Sequence, residues 1–183
     1  VVSVKNECKE LLLLVGSGFC EETEIVCVDL EELSRRVDDR QGIVKPEITS
    51  VASNLRKEKG EIISYSFPKA YLYEPNASIM KAGLFKTVAK RYNVEKLHPS
   101  THLYTSEELV ENFPGRTFKI NRVTKVQKKE IPTIEKANLS IRNFPGNVAD
   151  LKKKLKLKDG GDVFIFASTL HDNSKVLIIC EKC

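Results

Sequence analysis

The stretch "NLSIRNFPGNVADLKKKLKLKDGGDVFIFAS", residues 138–168, decides the fold class. "NLSIRNF" reads as a strand. Asn147 is placed to cap a helix. Within "VADLKKKLKL", Val148, Leu151 and Leu155 recur at helical spacing and point one way. "DGG" turns the chain. "DVFIFASTL" is then an apolar strand, which a polar "HDNS" turn returns as "KVLIIC". Upstream, "RTFKINRVTKV" predicts a long strand carrying Phe118, Ile120 and, after a shift, Val123 and Val126. "KKEIPTIEKA", broken by Pro132, is a connection. The order β–β–α–β–β predicts a small α+β domain with a helix packed on a sheet.

Working toward the N-terminus, "AYLYE" is a strand that Pro75 stops, and Asn76 can cap the helix that follows. Met80, Leu84, Val88 and Tyr92 fall four apart, with Ile79 and Phe85 beside them and Lys81, Lys86 and Lys90 off that face. "THLYT" is a further strand, after which Ser106 and the acidic pair Glu107–Glu108 suit a helix N-terminus. At the start of the chain, Val1, Val2 and Val4 lead through "KNE" into "KELLLLV". A hairpin with a polar tip fits, and a Leu-rich helix over Glu7–Val15 competes with it. "TEIVCVDL" is a third strand. "EELSRRVDDRQG" is a loop or a short helix. In "PEITSVASNLRKEKG", Ile48, Val51, Ala52 and Leu55 predict a helix between Pro46 and Gly60. The tetrapeptide "NFPG" occurs at Asn112–Gly115 and at Asn143–Gly146. The flanks do not match, so it reads as two Pro-Gly breaks at element ends.

The 183 residues suit one ordinary domain or two to three small ones. No run approaches the roughly 20 apolar residues that cross a membrane. Leu11–Val15, preceded by Lys9 and Glu10, is too short for a signal peptide. Five cysteines without regular spacing argue against a disulfide framework and for a reducing compartment, so a cytoplasmic location is expected. The expected divisions are 1–66, 67–115 and 116–183. Their net charges are −4, +1 and +8, so the positive charge is concentrated in the last third. Such an excess on a small domain attracts polyanions through counterion release.

A strand, a Gly turn at Gly16 and Gly18 and a later acid at Asp29 imitate a nucleotide or S-adenosylmethionine site. The acid of such a unit lies about 20 residues past the glycines, because a crossover helix intervenes. Phe19–Glu24 is too short to hold that helix, so no cofactor residue is assigned here. "CEKC" at Cys180–Cys183 has the spacing of half a zinc site but lacks a second close pair. Pro99 disfavours a helical face for His98 and His102, and no metal ligand is assigned. No nucleophile or acid–base signature appears, so no catalytic residue is assigned. Glu74, Pro75 and Asn76, with Lys81, form a strand-to-helix junction whose plainest role is capping. The informative feature is basic. Lys152, Lys153, Lys154, Lys156 and Lys158 cover most of a short helix and its exit. Arg116, Arg122, Lys125 and Arg142 extend the same expected patch, as do Lys128 and Lys129. With little aromatic interleaving, backbone and shape recognition of folded RNA fits better than base stacking.

"YLYEPNASIMKAG" with "LHPSTHLYTS", and "FPGRTFKI", "LSIRNFP", "LKKKLKLKDGGDVFIFAS" and "KVLIIC", resemble the C-terminal half of a bacterial family of class I S-adenosylmethionine-dependent methyltransferases. The first pair resembles a small ferredoxin-like domain and the later motifs a THUMP-like domain. "VVSVKNECKELLLL" resembles the end of that family's catalytic domain. The resemblance implies an N-terminal hairpin left from a Rossmann-like sheet, an S-adenosylmethionine site upstream of this chain and none within it. It implies RNA, tRNA or rRNA, as partner, alongside the missing methyltransferase domain. A non-catalytic RNA-binding module, a protein-docking module and a methyltransferase acting on protein stay open. Pairing of the N-terminal strands with a second copy is also expected, because an apolar edge invites association.

Overall fold

β1 (Val2–Val4) and β2 (Glu7–Glu10) form an antiparallel hairpin, as expected from the polar tip between them. β3 (Glu24–Glu31) runs parallel to β1, and β4 (Glu47–Asn54) pairs antiparallel with β3 along its whole length. The sheet order is β2-β1-β3-β4. The computed structural model describes residues 1–4, 7–11, 23–31 and 47–183. Most of the Leu-rich run, Gly16 and Gly18 and the "EELSRRVDDRQG" segment beyond Glu31 lie outside them. Over Glu7–Glu10 the strand alternative holds, and this edge is charged rather than apolar. All four residues are exposed, and Lys9 bonds Glu7 at 2.7 Å.

The described chain divides into two compact units. One comprises Val1–Ile62 and Pro75–Val88, the other Ile63–Glu74 and Ala89–Cys183. In the first, the helix expected over residues 46–60 is mostly the strand β4. Val51 and Ser53 are buried while Ser50 and Ala52 are exposed. That is a period of two, and eight residues of pairing with β3 override the coincidental helical spacing. Only α1 (Leu55–Gly60) is helical, capped by Asn54, whose side chain accepts from the Lys57 amide at 2.7 Å. The long helix expected after Asn76 is two helices, α2 (Ala77–Ala82) and α3 (Phe85–Arg91). Asn76 caps α2 as expected, accepting from the Ile79 amide at 3.1 Å. Gly83 ends α2 in the left-handed conformation at φ 74°. The Glu58 carboxylate then accepts from the Lys86 and Thr87 amides at 2.7 and 2.8 Å, satisfying donors at the start of α3.

The second unit is built on seven strands: β5 (Tyr71–Pro75), β6 (Glu95–His98), β7 (Thr101–Ser106), β8 (Gly115–Lys125), β9 (Asn138–Arg142), β10 (Val163–Thr169) and β11 (Lys175–Lys182). Their order is β6-β7-β5-β8-β11-β10-β9. β6 escapes a reading by pattern because it is four residues long and three of the four are polar. Ser106 does not start a helix. It ends β7, and its hydroxyl bonds the Tyr73 hydroxyl at 2.8 Å. The phase shift expected in β8 is a bulge at Asn121, since Ile120 faces Cys180 and Arg122 faces Ile179.

α4 (Val148–Leu155) crosses from β9 to the parallel strand β10 and packs Leu151 and Leu155 on one sheet face, against Leu139, Ile165, Leu177 and Ile179. The helix stops two residues earlier than expected, at a left-handed Lys156. On the opposite face the sheet curls until β7 touches β9, and the Thr101 hydroxyl donates to the Thr169 carbonyl at 2.9 Å. Leu72, Leu97, Leu103, Phe118, Phe166 and Ile178 fill the curl.

Candidate nucleic-acid interface

α4 owes its lysine-bearing surface to its apolar face. With Leu151 and Leu155 pinned against the sheet, Lys153 and Lys154 are exposed and Lys152 is half-buried. Asn147 accepts from the Asp150 amide at 2.9 Å and donates to the Asp150 carboxylate at 2.7 Å, so the first turn is closed on both sides. Lys152 reaches forward to pair with Asp159. Lys156 and Lys158 are exposed at the helix exit. The Lys158 amide donates to the Glu135 carbonyl at 2.8 Å, and its carbonyl accepts from Ala137 at 3.0 Å. This bridge brings exposed Lys136 beside Lys158. Lys136 carries no local pattern that points to it, because the pairing joins residues 22 apart in sequence.

The structure does not gather every expected residue on one side. Arg122 is opposite Ile179 and so projects on the α4 side of the sheet. Lys125 is opposite Val176 and projects on the other side. Arg116 and Arg142 both pair with Glu74. Lys128 donates from Nζ to the Ile131 and Ile134 carbonyls at 3.2 and 2.8 Å, holding the loop before β9. Lys129 is exposed. The basic surface on the α4 side is therefore Lys152, Lys153, Lys154, Lys156, Lys158, Lys136 and Arg122.

Residues 115–182 match a family model described as THUMP domain-like, and residues 71–114 match one described as a ferredoxin-like domain. The chain carries a ferredoxin-like and a THUMP-like domain in an α+β fold. Strands from both matched stretches share the seven-stranded sheet. A crystal structure of a "putative methyltransferase from Porphyromonas gingivalis W83" is similar, with 34% identity and a TM-score of 0.68. The alignment covers 85% of this chain and 38% of that one, so the chain spans well under half the length of that protein. No curated protein matches the chain. No helix among the described residues is long and apolar enough to cross a membrane.

Asp29 is not placed as a ribose ligand. Asp29, the acid that imitates a ribose ligand, is buried within the first sheet and accepts the Ser3 hydroxyl from the adjoining strand. Its oxygen is used inside the sheet.

Proposed function

We propose that this chain is the RNA-binding C-terminal part of an S-adenosylmethionine-dependent RNA methyltransferase of the cytoplasm, whose cofactor site lies upstream of it. The single observation that carries the reading is the exposed lysine surface of α4, fixed to the sheet by two buried leucines inside a THUMP-like domain. The similarity to a solved methyltransferase supports the enzyme class. In this reading the first sheet is the far edge of the catalytic sheet. The recognition is of phosphate backbone and shape, since the surface offers ammonium groups and no stacking rings.

Binding of tRNA and of rRNA fragments across a salt series tests this. Affinity should fall linearly on a log–log scale as salt rises. Reversing Lys152, Lys153 and Lys154 to Glu should weaken binding at least about tenfold, broadly across sequences, with the circular dichroism spectrum unchanged. Salt-independent binding, or none at low salt, overturns the reading.

A further inference from the structure

A second charged group lies on the sheet face opposite α4. Glu74, 5% exposed at the end of β5, accepts from Arg116 Nε at 2.8 Å and from Arg142 Nε at 2.7 Å. The Nη2 atoms of both arginines also contact it. Arg142 Nη1 donates to the Ile141 carbonyl at 2.8 Å. One carboxylate thus holds two guanidiniums and leaves a net +1. The arginine side chains remain 37% and 35% exposed.

The repeated tetrapeptide places both arginines. Asn112–Gly115 runs straight into Arg116, and Arg142 runs straight into Asn143–Gly146. Both asparagines are left-handed, at φ 57° and 50°, which Asn adopts more readily than other side chains with a Cβ. Phe113 anchors the first turn on the Tyr73 ring, 4.9 Å between centroids. Phe144 anchors the second in the α4 core. Two turns that share a tetrapeptide but not their flanks therefore bring their arginines to one carboxylate.

Ser168 neighbours Arg142 across the strands. It is wholly buried, and its hydroxyl is the buried side-chain polar atom without a partner among the described residues. It lies opposite Arg142 in the β9–β10 register, and strand alternation puts both side chains on the same face. A buried orphan hydroxyl is rare enough to require an explanation.

We infer that Arg116, Arg142 and Ser168, oriented by Glu74, bind a phosphate group of a nucleotide or nucleic acid, at a site separate from the α4 lysines. The carboxylate takes the inward donors and fixes both guanidinium planes. Nη1 of Arg116 is not engaged by Glu74, both arginine side chains keep about a third of their surface exposed, and the planar arginine fork suits phosphate oxygens. Depth alone does not account for the triad, since a buried ion pair is weak evidence for stability.

The test titrates the full chain with inorganic phosphate, with AMP, and with one RNA oligomer in 5′-phosphorylated and 5′-hydroxyl forms. Phosphate should raise the melting temperature. Arg116→Lys keeps the charge but loses the fork and should weaken phosphate binding about tenfold. Ser168→Ala should weaken it about threefold without lowering the melting temperature in phosphate-free buffer. Glu74→Gln should strengthen it, a direction that misfolding does not imitate. Preference for the 5′-phosphorylated oligomer identifies a nucleic-acid end as the source, and AMP binding as tightly as that oligomer identifies a mononucleotide. Absence of any phosphate-dependent stabilisation overturns the inference, as does wild-type phosphate affinity in both Arg116→Lys and Ser168→Ala. Loss of phosphate binding on reversing Lys152, Lys153 and Lys154 also overturns it, by moving the phosphate to α4.

Discussion

Lys156→Gly should make the protein more stable and a weaker RNA binder. Five residues other than glycine have positive φ among those described, and four of them are asparagine. The fifth is Lys156, at φ 52° and ψ 46°, ending α4 where glycine is the common choice. The left-handed conformation costs a residue with a Cβ roughly 1–2 kcal/mol. Glycine removes that cost but gives back part of it through the freer unfolded chain, roughly 0.5–1 kcal/mol. The net gain is about 0.5–1 kcal/mol. The amide bonds from Lys156 to the Lys152 and Lys153 carbonyls are backbone and stay in place. Urea unfolding followed by circular dichroism should show the midpoint moving up by a few tenths molar. The control is Lys154→Gly inside the helix, which should lower stability by about 1 kcal/mol. In an RNA titration, Lys156→Gly should reduce the salt slope by about 0.7–0.9 through one lost phosphate contact. A midpoint that falls for Lys156→Gly as it does for Lys154→Gly refutes the strain argument.

Leu155 is fully buried beneath α4, so Leu155→Ala should cost about 2–4 kcal/mol in urea unfolding. Burial, and secondarily the Lys96 charge, push His102 down to about 4. The unfolded chain therefore binds more protons between pH 4 and 6.5, and stability rises with pH across that window and is complete above it. Unfolding midpoints at several pH values should show this slope, and His102→Gln should flatten it. Burial pushes the Cys27 and Cys180 thiols up to about 11 and about 12, whereas Cys8 and Cys183 are exposed. Iodoacetamide on the native protein, followed by mass spectrometry, should label Cys8 and Cys183 and spare Cys27 and Cys180 until the chain unfolds.

Local signals in this sequence were reliable where they coincide with tertiary demand. Asn76 and Asn147 are helix caps because a short amide-accepting side chain precedes an apolar repeat, and the structure uses both. The β9–α4–β10–β11 path was legible for the same reason. Spacing misled at Ile48, Val51 and Ala52, where a partner strand 18 to 26 residues away in sequence decided the outcome, and held only at Leu55, which begins α1. It misled again across Gly83, where continuous four-residue spacing hid a left-handed break. At the candidate sites, composition identified the lysines but not their sides of the sheet. Lys136 and the Arg116–Glu74–Arg142 cluster depend on pairings 22 to 68 residues apart.

That distinction changes what a net charge of +8 means for binding. Several of the basic groups behind it already serve the fold. Arg116 and Arg142 hold Glu74, Lys128 holds two loop carbonyls, and Lys152 is paired with Asp159. On the α4 side this leaves Lys153, Lys154, Lys156, Lys158, Lys136 and Arg122, all exposed. If each meets one phosphate, the log–log salt slope should be about −4 to −5. A slope of about −9 would require phosphate contacts from both sheet faces, and the charge-reversal variant would then keep most of its affinity. A slope near −1 would mean that the α4 surface is an ordinary solvated face, and the RNA reading would fail on magnitude even if some binding remained.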